Sequence, residues 1–325
     1  MSDITLADVY AARARLRGHI RHTALQQSES LTETVGVPVY LKLEQQQITG
    51  SFKLRGATNA VMQLTDEQRG RGVVGLSTGN HGRGLAFAAR NAGVRAVICM
   101  SELVPKHKVD AIAALGADVR IAGKSQDDAE VEVQRLVDDQ GMTLLSPFDH
   151  PHVIAGQGTL GLEMMEDLPA VNTVVVPLSG GGLLGGIALA LKTINPEIRT
   201  IGVSMDRGPA MVESLRAGKP IFVEEYPTLA DSLSGGISLD NRYTFRLIQQ
   251  FVDETLLVSE RQIAAAIQHA YWRERQIIEG GAAVGIAALL AGLVSDSGTT
   301  LVLLSGGNVD MQVHQRLING QEVAL

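Results

Sequence analysis

In the stretch Thr49-Gly50-Ser51-Phe52-Lys53-Leu54-Arg55-Gly56, a lysine follows a glycine and a serine, a spacing that sets one amine near the start of a helix. The Ser51 hydroxyl is expected to cap the first free amides, and Phe52 gives the lysine stem an apolar wall. An amine held there is desolvated, so its pKa falls and it becomes a nucleophile toward an aldehyde, as in a Schiff-base lysine. Taken alone, S-x-K fits a surface lysine on a capped helix better, and what lies downstream changes that balance.

Three glycine-rich turns lie downstream. Ser179-Gly180-Gly181-Gly182-Leu183-Leu184 follows a predicted strand and opens a predicted helix, so bare amides and the helix dipole converge on one point suited to a phosphate. The loop lacks the Gly-Lys-Ser/Thr of a Walker A motif and matches the dinucleotide fingerprint loosely; a tight turn for helix packing is the other reading. Ser77-Thr78-Gly79-Asn80-His81-Gly82 offers hydroxyls, an amide and backbone donors to a carboxylate or oxyanion, or is merely a capped helix start. Ser305-Gly306-Gly307-Asn308 presents a neutral hydroxyl at the end of the last predicted strand, where an ordinary turn would also use the glycines. An aldehyde-binding lysine, a phosphate cradle, a carboxylate loop and a neutral hydroxyl together match the needs of pyridoxal phosphate.

The elements that must position these groups alternate. Strands are predicted over 37–44, 73–76, 95–100, 118–122, 142–145, 173–177, 200–204 and 300–304. Helices are predicted over 81–91, 106–115, 126–139, 183–193, 241–251, 260–274 and 282–294, besides an N-terminal one with a Thr5-x-x-Asp8 cap. Strict alternation implies parallel βαβ units. The rhythm breaks at Ser146-Pro147-Phe148-Asp149-His150-Pro151, read as a hinge between two doubly wound lobes with a cleft between them.

Composition narrows the classes. The 325 residues are 45% hydrophobic, with 35 glycines and a net charge of −7, which suits a soluble α/β protein and leaves no basic field for nucleic acid or a membrane surface. A single cysteine, Cys99, lies in an apolar run and excludes a disulfide framework or thiolate metal site. With no apolar core of an export signal near the N-terminus, a cytoplasmic protein is expected.

The motifs S-F-K-L-R-G, S-T-G-N-H-G, S-G-G-G-L and L-S-G-G-N-V-D, with Leu41-Lys42-Leu43-Glu44, resemble those of the fold-type II pyridoxal-phosphate enzymes, in the serine/threonine dehydratase and serine racemase family. Within it, S-T-G-N-H-G-R-G, P-L-S-G-G-G-L and L-A-D-S-L-S-G-G-I-S-L-D-N-R-Y-T-F are most similar to dehydratases of hydroxyectoine utilisation. The resemblance implies an α/β, tryptophan synthase β-like architecture. It gives a large cofactor domain from 1–73 and 147–325, a small mobile domain from 74–146, and a homodimer. Lys53 becomes the cofactor attachment point and the base that moves the Cα proton. Phe52 lies beside the ring, Asn80 bonds its phenolic oxygen, and Ser179, Gly180, Gly181, Gly182 and Leu183 hold the phosphate. Ser305 faces the pyridine nitrogen, Glu279 is expected near the ring, and Ser77, Thr78, Gly79, Asn80 and His81 hold the substrate carboxylate. The implied reaction is β-elimination from a 3-hydroxy amino acid to a 2-oxo acid and ammonia, because a neutral Ser305 disfavours transamination.

Departures qualify that picture. Thr78 replaces the serine that racemases use as a proton donor, and its restricted χ1 counts against racemisation. The family's divalent-cation site has no counterpart in Ser204, Gly208 and Ala210, so no metal is expected. Arg83 and Arg242 are additional cations; either could bind a second carboxylate and favour a 3-hydroxyaspartate-like substrate, or be solvated or ion-paired. An amino-acid racemase on the same scaffold and a non-catalytic pyridoxal-phosphate binding protein are the rival readings.

Overall fold

The computed structural model describes residues 4–323 apart from 78, 105 and 297, and the side chains in that span apart from those of 107, 126 and 127. Among the described residues, ten strands form two sheets. The larger sheet has the order β1 (Leu25–Ser28), β2 (Val39–Leu43), β10 (Thr300–Leu304), β7 (Thr173–Pro177), β8 (Arg199–Met205) and β9 (Glu254–Val258). Only β1 runs antiparallel, against β2. The smaller, parallel sheet has the order β5 (Asp118–Ile121), β4 (Ala96–Met100), β3 (Val73–Leu76) and β6 (Thr143–Leu144).

Both sheets are covered on both faces, which is why their central strands read as continuous apolar runs rather than alternating ones. Along β7, Val174 and Val176 face a core shared with the helix Gly182–Ile194, whereas Val175 faces the opposite core, shared with the helix Gly280–Leu290. In β10, Leu301 and Leu303 join the first core and Val302 and Leu304 the second, as the twofold period of a strand requires. The smaller sheet repeats the plan. Val73 and Ile98 face Leu85 and Ile112, while Val74, Val97 and Cys99 face Val133 and Leu136. Cys99 is fully buried, as its apolar setting implies.

Register brings the strand ends level. Leu304 pairs with Leu43 at the end of β2, and Val302 pairs with Val175 of β7. The loops after β2, β7 and β10 therefore emerge at one edge of the larger sheet, where ligands bind in parallel α/β folds. The helix Lys53–Met62 lies between the helix Asn80–Asn91 of the smaller sheet and the helix Pro151–Asp167. Its approach to the latter is unusually close: a Cβ on Gly156 would stand 2.7 Å from the Gly56 Cα. Glycine at both positions is what permits that crossing.

Three details differ from the sequence reading. The helix begins at Lys53 itself, without a serine cap; Ser51 instead makes a β-bridge with Gly306, and its buried hydroxyl has no partner. Pro147 and Pro151 do break the strand–helix alternation, yet Pro151 also opens a 17-residue helix, since proline at the first helical position removes an amide that has no partner anyway. The edge strands β1 and β9 went unpredicted because their residues are short or half-buried runs with weak alternation. The Thr5–Asp8 cap is present, the Asp8 carboxylate accepting from the Thr5 amide at 2.8 Å.

Candidate active site

A cavity of about 400 Å³ opens where the two sheets meet, within the size range of cofactor and substrate sites. The anticipated residues Phe52, Lys53, Ser77, Gly79, Asn80, His81 and Arg83 line it from one side, and Ser179, Gly180, Gly181, Gly182, Leu183, Glu279 and Ser305 from the other. Arg242 is not among the lining residues: it is an exposed residue whose backbone amide donates to Asp149. Contrary to the sequence reading, Arg242 does not share the cavity with Arg83. Thr78 lies outside the described residues.

Lys53 occupies the first position of its helix, where the amine projects toward the cavity rather than along the helix surface. The Nζ donates to the Pro147 carbonyl at 2.8 Å and stands 5.2 Å from the Phe52 ring centroid. Burial pushes its pKa down to about 8, the nearby Glu279 opposing that shift. A substantial neutral fraction at pH 7 to 8 makes this amine a competent nucleophile.

Glu279, at the N-cap position of the helix Gly280–Leu290, is buried beside Asn80. The Asn80 Nδ2 donates to Glu279 Oε1 at 2.6 Å, and the Asn80 Oδ1 accepts from Asn308 Nδ2 at 2.7 Å. Asn308 also donates to the Thr49 carbonyl at 2.9 Å. Asn80 is thus clamped in one orientation, with one amide hydrogen left to offer the cavity. Burial, reinforced by Asp231, raises the Glu279 pKa to about 7 against the hydrogen bonds from Asn80 and its neighbours. The clamp also joins the smaller-sheet helix Asn80–Asn91 to loops of the larger sheet.

His81 is neutral, because burial and then Lys53 push its pKa down to about 3. Its Nε2 lies 3.0 Å from the Leu145 carbonyl and must donate to it, which leaves Nδ1 as a buried acceptor without a partner. Arg83 likewise carries a buried, unpartnered Nε. Ser305 is buried at the end of β10, and its carbonyl accepts from the Phe52 amide at 3.1 Å, fixing the lysine segment to that strand.

The glycine loop opens the helix Gly182–Ile194 without any side-chain cap. Gly181 has φ +84°, and a Cβ there would also come within 2.8 Å of Met211, so no other residue keeps this turn. The first-turn amides are left for a ligand.

Sequence reasoning missed several residues. Asn308 lay within a quoted motif but without a role, and the cavity also takes in Lys108, Asp231, Phe148 and the Ser234–Gly236 turn. It missed altogether the cluster behind the lysine helix. Arg55, fully buried, donates to Glu44 through Nε and Nη2, both at 2.8 Å, and to Glu163 at 2.6 and 3.0 Å. Lys42 joins Glu163 at 2.9 Å to Asp167 at 2.8 Å. The Leu41-Lys42-Leu43-Glu44 and Lys53-Leu54-Arg55 motifs contain three of its five members, Lys42, Glu44 and Arg55; no spacing rule links them to Glu163 and Asp167.

Residues 16–306 match the family model for "Pyridoxal-phosphate dependent enzyme". A protein of Sinorhizobium fredii described as "Putative threonine dehydratase" is 55% identical over 321 residues, covering 98% of this chain and 97% of its own. An L-threonine ammonia-lyase of Thermotoga maritima is 43% identical, covering 97% of this chain and 78% of its own. The solved structure of maize serine racemase superposes with a TM-score of 0.91 at 32% identity, covering 98% of this chain and 97% of that one. Full-length similarity of sequence and fold together mean that this chain belongs to the pyridoxal-phosphate dependent enzymes, in the fold-type II serine/threonine dehydratase and serine racemase family.

Proposed function

We propose that this protein is a pyridoxal-phosphate dependent ammonia-lyase that converts a 3-hydroxy amino acid such as threonine or serine into a 2-oxo acid and ammonia. The observation that carries the reading is one cavity bounded by the Lys53 amine, an uncapped helix start after Gly181 and a neutral serine hydroxyl. The threonine dehydratase and ammonia-lyase relatives support the same activity.

The residues fit the cofactor. Lys53 would hold its aldehyde carbon, the amides of Gly180 to Leu183 its phosphate, Ser305 its ring nitrogen, and Asn80 its phenolic oxygen. Bound there, the cofactor supplies an electron sink for the carbon from which a proton is removed. Ser77, Gly79 and His81 orient the substrate carboxylate through the start of the helix Asn80–Asn91. Once the substrate's amine has taken its place, the freed Lys53 amine, depressed toward neutrality, takes the Cα proton. Water then leaves from Cβ, and uptake of water by the released enamine gives the oxo acid and ammonia.

Ser305 decides the direction of the chemistry. As a hydroxyl it does not hold the ring nitrogen protonated, so elimination is favoured over transamination. Two sheets joined through the segment 146–150 would let the smaller one, within a domain of residues 74–146, close over bound substrate. Arg83 is the cavity cation that would favour a substrate with a second carboxylate, such as 3-hydroxyaspartate, and the resemblance to dehydratases of hydroxyectoine utilisation points to a catabolic role.

The test is oxo acid release from both isomers of threonine, serine and 3-hydroxyaspartate, with Lys53→Ala as the blank. Release well above the blank with at least one substrate is expected. If recovered substrate were instead epimerised without oxo acid, racemisation would replace this reading.

A further inference from the structure

Three consecutive residues of the chain tie the candidate site to the helix behind its glycine loop. The Pro147 carbonyl accepts from Lys53 Nζ at 2.8 Å. Phe148 lies on the glycine loop so tightly that a Cβ on Gly180 would collide with its ring, and one on Gly182 would stand 2.7 Å from its carbonyl oxygen. Asp149 reaches past the loop to the helix Thr244–Phe251. Its Oδ2 accepts from the Arg242 amide at 2.7 Å, and its Oδ1 accepts from the Tyr243 and Thr244 amides, both at 2.9 Å.

That helix backs the same loop from the opposite side. A Cβ on Gly181 would meet the Thr244 Cβ at 3.1 Å and Ile248 Cγ1 at 3.2 Å. The loop is therefore gripped between two jaws, Phe148 on one side and the start of the helix Thr244–Phe251 on the other. Asp149, next to Phe148 in the chain, fastens one jaw to the other with three charge-assisted hydrogen bonds. The turn that aims it is closed by Ser146, whose Oγ accepts from the Asp149 amide at 3.1 Å.

We infer that Asp149 is a positioning residue for the cofactor phosphate, acting through the spacing of the two jaws rather than by touching the ligand. The inference rests on the reading that the loop Gly180 to Leu183 holds the phosphate. It has an opposite sign to the simple electrostatic expectation. A carboxylate near a phosphate dianion repels it, so neutralising Asp149 would tighten phosphate binding if charge alone mattered. Loosening the jaws would weaken it.

The experiment titrates apoprotein with pyridoxal phosphate and, separately, with pyridoxal, which lacks the phosphate, following absorbance of the bound aldehyde. For Asp149→Asn, affinity for pyridoxal phosphate is expected to fall about tenfold, the scale of a weakened charged cap, with affinity for pyridoxal unchanged. A preference for the phosphorylated form that stays constant or grows overturns the inference, as does equal weakening toward both aldehydes, which a merely structural role would give. Thermal unfolding of each apoprotein establishes that it is folded. Should Asp149→Asn not fold, Asp149→Ser, which keeps a neutral acceptor at the helix start, carries the same expected loss of preference and the same contrary outcomes. Wild-type protein that took up neither aldehyde would remove the phosphate-site reading itself, a result distinct from failure of the Asp149 inference.

Discussion

The two surroundings of the helix Lys53–Met62 are built on opposite principles. Behind it, Arg55 is fully buried, and its guanidinium meets two carboxylates in paired geometry, Glu44 and Glu163, while Lys42 shares Glu163 Oε2 and also reaches Asp167. In front of it, at the cavity, polar atoms stay unmatched: His81 Nδ1 and Arg83 Nε are buried without partners, and the helix Gly182–Ile194 begins without a cap. Buried polar groups are ordinarily satisfied, so unmatched ones that line a cavity are open to a ligand. The contrast separates residues that hold the lysine helix in place from residues that await chemistry.

Removing Arg55 should break this contrast most severely. Arg55→Ala strands Glu44 and Glu163 in the core, a loss on the order of 3–5 kcal/mol when one partner of a buried ion pair is deleted. Chemical unfolding of the apoprotein reads it. Arg55→Lys is expected to recover only a small part, because an ammonium cannot make the two forked pairs. A variant as stable as the parent would show that the cluster does not anchor the helix.

Glu279 sharpens the other side. Its folded pKa of about 7 lies above the usual carboxylate value of 4.5, so the folded protein keeps a proton that the unfolded chain has released between those values. Stability of the apoprotein should therefore fall as pH rises through that window, by roughly 3 kcal/mol at most. His81 contributes with the opposite dependence at lower pH. Its folded pKa of about 3 means the unfolded chain takes up a proton first, so stability is lost as pH falls below about 6.5. The difference between parent and Glu279→Gln isolates the carboxyl: the variant should lack the decline from pH 4.5 to 7, and parallel profiles would contradict the assignment.

The smallest effect concerns Arg83. Arg83→Ala should lower kcat/KM for 3-hydroxyaspartate relative to threonine by about tenfold, one charge-assisted contact's worth. Arg242→Ala, outside the cavity, should leave that ratio alone. Equal ratios in both variants would remove Arg83 from substrate selection.

How much of this was legible beforehand follows from the range of each signal. The alternation from β3 to β6, the lysine and the three glycine turns are local patterns, and the structure brings the turns around one cavity. Arg55 was not legible as an anchor because its partners lie 11 and 108 residues away, and no local period connects them. Ser51 looked like a helix cap because its type suits one, but pairing with Gly306 across the loop after β10 redirected its backbone. Arg242 was grouped with Arg83 on charge, whereas Asp149 captures its amide and the side chain stays in solvent. The clamp of Asn80, Glu279 and Asn308 needed three distant segments to be placed before its hydrogen bonds could be seen.

The account stands on the Lys53 amine. Apoprotein mixed with pyridoxal phosphate, then reduced with borohydride and digested, should carry the cofactor's mass on the peptide containing Lys53, with the rate of capture rising through about pH 8 as the amine loses its proton. Lys53→Ala should yield no such adduct. Unmodified Lys53 in the parent, or an equal adduct on another lysine, would contradict it.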